Sequence, residues 1–177
     1  MIELWNKYKD LVKNIDGSLE SLNEGATHED ISKIEKMIGV SLPVDFAEFY
    51  KIHDGQDTHE FFFGEYCLNS LDNIIQICEE FGEELMDEAE EMGESKGALK
   101  YGSNKWLFFA RDGGSSEMFL DLDPGPKGKI GQVGVLMHGE QPEIYKMDFR
   151  SFVESIIDDI SSQRITFNED AGAFVEE

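Results

Sequence analysis

The side chains here that could do chemistry are four histidines, two cysteines and 38 carboxylates, and their spacing limits what that chemistry can be. His28, His53, His59 and His138 form no HxxxH, HExxH or Cys/His pattern, so no helix or knuckle brings two of them to one zinc ion. Cys67 and Cys78 stand too far apart for a CxxC half-site. Asp121-Leu122-Asp123 opens like a calcium loop, but Gly125 takes the next ligand position and Gln132 stands where a bidentate Glu is needed. Gly113-Gly114-Ser115-Ser116 is not a GxSxG elbow, and no GxxxxGK[ST] or GxGxxG phosphate cradle occurs. Chance carboxylate pairs are expected in so acidic a chain, so they do not signal acid/base catalysis. No metal, no cofactor and no enzymatic activity are expected.

One group of carboxylates acts collectively. Glu79, Glu80, Glu83, Glu84, Asp87, Glu88, Glu90, Glu91 and Glu94 fall in a helical pattern with no lysine between them. On one continuous helix they make about six like-charge i,i+4 pairs, each costing roughly 0.2–0.5 kcal/mol, or about 1–3 kcal/mol in all. Against a domain stability of roughly 5–15 kcal/mol that is a noticeable penalty, which a cationic partner would relieve. The alternative is a solvated face that keeps the protein soluble. Glu83, Glu84, Asp87, Glu88 and Glu91 are the candidate partner-binding residues, and Asp54, Asp57 and Asp112, on loops bordering the sheet, form a second set. The formal net charge is -23, with a pI near 4.3. It disfavours nucleic acid and anionic membranes and steers basic proteins inward.

Several elements must position these groups. Ile2, Leu4, Trp5, Tyr8, Leu11, Val12 and Ile15 predict an amphipathic helix closed at Gly17. Thr27 with Asp30 predicts a capped second helix packing through Ile31, Ile34 and Ile38 and stopping at Gly39. Leu42-Pro43 starts a third helix, with Phe46, Phe49 and Tyr50 inward. Glu60 to Leu68 reads as strand, bend and strand. Ser70 caps one long helix through Ile74, Cys78, Phe81, Leu85, Ala89 and Met92. Strands come next at 105–111, 117–122, 131–138 and 142–147, joined closely enough for an antiparallel meander. Asp148 caps a last helix that turns Phe149, Phe152, Val153, Ile156, Ile157 and Ile160 to one side.

The fold class expected is α+β, a bent antiparallel sheet packed with N-terminal, central and C-terminal helices. Residues 1–160 read as one domain and 161–177 as an extension, either an edge strand or loose. The N-terminus lacks the basic and apolar regions of a signal peptide, and the longest apolar run, Trp106 to Ala110, is far short of a membrane span. A reduced, cytoplasmic setting is expected.

Asn23-Glu24-Gly25-Ala26-Thr27, Ile31, Ile34-Glu35 and Ile38-Gly39-Val40-Ser41-Leu42-Pro43 resemble the N-terminal signature of the SMI/KNR family of the SUKH superfamily. Asp45-Phe46, Phe49-Tyr50 and Ile52-His53-Asp54-Gly55-Gln56 continue it in order. A second block comprises Trp106, Asp112-Gly113-Gly114, Leu120-Asp121-Leu122-Asp123-Pro124-Gly125 and Gly131-Gln132-Val133, before a closing helix at Phe149 and Phe152. The resemblance covers roughly residues 23 to 160. It departs at Ser115-Ser116-Glu117 and in the acidic helix, which is unusually rich in carboxylates. It implies helices on a bent antiparallel sheet and a protein-binding role without a catalytic centre. Bacterial members are commonly immunity proteins that neutralise polymorphic toxins, many of them nucleases or deaminases; fungal members regulate cell-wall assembly through protein contacts. With little sequence outside the domain, the expectation is an immunity protein with a basic toxin domain as partner, the alternative being an adaptor for several endogenous proteins.

Overall fold

Three helices lie within residues 2–50. The computed structural model of the chain describes residues 1–15, 19–57, 63–80, 82–91, 97–101, 103–112, 114 and 116–176. α1 (Ile2–Val12) buries Leu4, Trp5, Tyr8 and Val12, whereas Ile2 and Leu11, assigned by periodicity to the same stripe, face solvent. Only one arc of the helix meets the core, so the stripe is narrower than the apolar count suggested. Gly17, expected to close this helix, lies outside the described residues. α2 (His28–Ile38) opens with a reciprocal box in which Thr27 N–H donates to Asp30 Oδ2 at 2.8 Å and Asp30 N–H to Thr27 Oγ1 at 3.2 Å. It stops at Gly39, as expected, and α3 (Val44–Tyr50) begins after Pro43 and turns Phe46, Phe49 and Tyr50 inward.

Asp54-Gly55 makes the next turn. Gly55 has φ +66°, and a Cβ there would lie 2.4 Å from the Ser70 nitrogen, so both conformation and space demand glycine. The turn fastens two regions, because Asp54 N–H donates to Glu24 O and Gln56 N–H to Leu68 O. Part of the expected strand-bend-strand segment, Glu60 to Phe62, lies outside the described residues. The remainder forms a bridge between Phe63 and Tyr66 and a two-residue strand, β1 (Cys67–Leu68).

Of the long helix expected from Ser70, Leu71–Glu80 and Gly82–Glu91 are helical and are labelled α4 and α5 on either side of Phe81. Phe81, Met92 and Glu94 lie outside the described residues. Ser70 does cap, its Oγ accepting from Asn73 N–H at 3.2 Å.

β2 (Trp106–Arg111), β3 (Ser116–Asp121), β4 (Gln132–Met137) and β5 (Glu143–Lys146) complete an antiparallel sheet in the order β1-β2-β3-β4-β5. Register slips between Phe108 and Ala110 and between Val133 and Gly134 bend the strands. α6 (Phe149–Ser161) begins at Asp148, which accepts from Ser151 N–H as expected. Beyond it, β6 (Ile165–Asn168) and β7 (Ala173–Glu176) pair, among the described residues, only with each other. The C-terminal segment therefore forms a hairpin, neither an added edge of the main sheet nor a loose tail, and Ile165 and Phe174 join the main core.

The sheet has two covered faces. Leu107, Phe109, Met118, Leu120 and Val133 meet α1, α3 and α6 on the first. Trp106, Phe108, Phe119 and Leu136 meet α5 on the second. No helix among the described residues is long and apolar enough to cross a membrane.

Candidate functional site

The second face carries the acidic helix, and its sequence explains why. Leu85, Met86 and Ala89 are its buried residues, spaced to fall on one side of α5, and they pack on Trp106, Phe108, Phe119 and Leu136. Trp106 and Phe119 stack with ring centroids 4.1 Å apart, a flat platform for the helix. Gly134 makes the platform possible, since a Cβ there would sit 2.2 Å from the Phe119 ring.

With that stripe facing the sheet, the carboxylates divide into two flanks. Glu83, Asp87 and Glu90, spaced i, i+4 and i+7, line a groove of about 620 Å³ together with Glu79 of α4 and Met86. Glu84, Glu88 and Glu91 repeat the spacing on the other flank. Glu83, Glu84, Asp87 and Glu91 are exposed, while Glu88 is half-buried with its Oε2 3.5 Å from His138 Nδ1. No Lys or Arg stands in the sequence between Lys51 and Lys96.

Three of the like-charge i,i+4 pairs, Glu83–Asp87, Glu84–Glu88 and Asp87–Glu91, lie wholly within α5 and together cost roughly 0.6–1.5 kcal/mol.

The second set of candidates behaves differently. Asp54 is half-buried, and its Oδ1 accepts from Leu71 N–H at 2.7 Å, fastening the start of α4. Burial raises its carboxyl above the usual range, partly opposed by that bond. Ten residues of α4, about 15 Å of helix, separate it from α5. Asp112 accepts from Gly114 N–H at 2.9 Å and Ser116 N–H at 3.0 Å, closing the β2–β3 turn. Asp57 is exposed. The structure gathers the five α5 acids on one helix and gives Asp54 and Asp112 structural bonds elsewhere.

Sequence reasoning missed the groups below the C-terminal half of α5. Arg111 and Glu117 are cross-strand partners on β2 and β3, and the Glu117 carboxyl is raised by burial, with Arg111 and His138 pulling it back. Only the strand register brings these residues together, so nothing in their spacing could signal the cluster. Glu79 and Glu90, seen in the sequence but left out of the candidate set, line the groove with its members.

Other reactive groups are engaged structurally. Asp121 Oδ2 accepts from Gln132 Nε2 at 2.8 Å and Oδ1 from Asp123 N–H at 3.0 Å, while Asp123 pairs with Lys100. Burial raises both thiols, Cys78 to about 11, which keeps it protonated and unreactive at neutral pH.

An α+β scaffold whose outward features are charged helix flanks and shallow grooves presents surfaces for another macromolecule, and the class is a protein-binding module. The chain belongs to the SMI1 / KNR4 family (SUKH-1), whose model matches residues 25–157. It is similar to a glucan synthesis regulatory protein of Neurospora crassa, with 23% identity over 195 residues covering 85% of this chain and 36% of the relative. The chain spans about a third of that relative's length.

Proposed function

We propose that this protein is an immunity-type binding module of the cytoplasm that neutralises a basic polymorphic toxin domain, of nuclease or deaminase type, by occluding its cationic cleft with the α5 surface. The observation that carries this reading is the orientation of α5. Leu85, Met86 and Ala89 lock it to the sheet while two flanks of carboxylates point away, so the negative charge is held on a rigid element. Such a surface raises the encounter rate with a basic partner at low ionic strength, and apolar contacts then set the lifetime of the complex. Neither catalysis nor a cofactor enters this mechanism. A regulatory adaptor that binds several endogenous proteins is the second reading, favoured by the likeness to the Neurospora regulatory protein.

Capture from the native extract at low and high salt, with mass spectrometry of the bound proteins, separates the two. A single basic protein that survives washing supports immunity, and several weakly held ones support the adaptor. With the captured domain purified, reversing charge at Glu84, Asp87 and Glu91 to lysine should slow association at least about tenfold at low salt and much less at high salt. An unchanged rate would remove α5 from the interface.

A further inference from the structure

A second cavity, of about 360 Å³, opens among the β2–β3 turn, the residues before β1 and strands β3, β4 and β5. Met118, Val135 and Met137 give it an apolar surface, and Met118 is fully buried. Tyr66 and Tyr145 contribute aromatic rings. Both pack on Phe152 of α6, at centroid distances of 5.6 and 6.3 Å, so one buried ring fixes the position of the two. Glu65, Asp112 and Glu143 supply carboxylates from three separate segments.

We propose that this cavity is an anchoring pocket for one arginine side chain of the partner protein. The proposal rests on the reading of a basic protein partner and assigns it a second point of contact, away from α5. Each part of the lining matches a part of that side chain. The methionine and valine surface takes the apolar stem, the tyrosine faces take the flat cation, and carboxylates at different points of the lining receive the forked N–H donors. A lysine ammonium would use the carboxylates but lacks the plane and the fork. Tyr145 already shows affinity for a cation, with Lys146 Nζ lying 4.4 Å from its ring centroid. Burial raises the Glu65 carboxyl, and the Glu176, Asp159 and Asp112 carboxylates push it the same way, so a guanidinium entering there meets a field built by several acids. At 360 Å³ the cavity falls at the small end of the roughly 300–1,000 Å³ typical of ligand pockets, which suits one side chain.

The test is methyl NMR on the full chain with labelled Met and Val, titrated with N-acetyl-arginine amide and, separately, with the neutral isostere N-acetyl-citrulline amide. The expected result is saturable movement of the Met118, Met137 and Val135 methyls with the arginine probe and none with citrulline. Glu65→Gln should weaken that binding about two- to fivefold, the range of a partly exposed charge pair. Asp87→Lys on α5 should leave it unchanged. Equal responses to the two probes, or an unaltered affinity in Glu65→Gln, would overturn the proposal. Met86 in the α5 groove is the internal reference. If its methyl moves while Met118 and Met137 stay still, the pocket assignment fails and the acidic-helix reading stands. If Met118 and Met137 respond while reversal on α5 leaves association unchanged, the pocket stands and the helix leaves the interface.

Discussion

The two faces of the sheet are closed by different means. On the first, rings from α3, α6 and β2, remote in sequence, interlock edge to face, as in Phe46–Phe149 at 5.0 Å and Phe109–Phe152 at 5.3 Å. On the second, the cover among the described residues is mainly α5, resting on Leu85, Met86 and Ala89, with carboxylates at its margins. The first face has most of its aromatic surface committed to the interior, and the cavity beside Tyr66 and Tyr145 opens at its margin. The second has the smaller cluster among the described residues, and the outward side chains of α5 are almost all carboxylates. The main core and the densest run of carboxylates therefore lie on opposite sides of one sheet, so the charged side can be acidic without weakening the main core.

The largest test of that division is truncation on each side. Phe152, fully buried among aromatic rings, should cost about 3–5 kcal/mol when changed to Ala, and Leu85, at the edge of the second cluster, about 2–3 kcal/mol. Urea titration reads both. Hydrogen exchange should show α5 amides opening at a lower free energy than those of β2 and β3. Equal costs with one shared opening would mean that the two faces form a single cooperative core.

Legibility in the sequence divides along the line between local and long-range determinants. Helix starts were plain because their determinants are local: the Thr27–Asp30 box, Pro43, Ser70 and Asp148 each act within four residues of themselves. The meander was plain because short turns join its strands. The helical residues of α4 and α5 were plain because the apolar spacing runs evenly from Ile74 to Ala89. The tyrosine-lined cavity and the Arg111–Glu117 pair arise from strand register and loop approach, which no single stretch of sequence encodes. The C-terminal hairpin was missed because Ile165 and Phe174 look too sparse for strands until they are seen to share the main core.

Acid sharpens the comparison next. Asp148 caps α6 on the first face and binds Lys129 at 2.8 Å; that bond, then those from Ser151, lower its carboxyl from 3.8 to about 2. A depressed folded value gives stability that is complete above the unfolded value and is lost as pH falls through the folded one. Glu117 and Asp121, on the other side of the sheet, are raised by burial, with the opposite sign. They oppose folding at neutral pH, and that cost is relieved as pH drops through their raised values. Stability should rise on going from pH 7 to about 5, helped by weaker self-repulsion, and fall below about 4. Asp148→Ala should cost about 0.5–2 kcal/mol at pH 7, and the gap to the unaltered protein should narrow by about pH 2.5. Urea titrations of both proteins across that range check it; a gap that does not change with pH would assign the effect to packing.

The smallest expected effect bears most directly on function. Asp87 stands between Glu83 and Glu91 at i,i+4 on both sides, so Asp87→Asn removes two of the three repulsive pairs within α5. It should stabilise the chain by roughly 0.4–1 kcal/mol at low ionic strength. The gain should shrink in about 1 M salt, where the screening length is about 3 Å. If α5 is the docking face, the same substitution slows association with the basic partner at low salt. A solvated face retained only for solubility would show the gain in stability and no change in rate. Stabilisation coupled to slower capture would show that the repulsion within α5 is kept because a partner removes it, as expected of a surface held in a less stable state for the sake of binding.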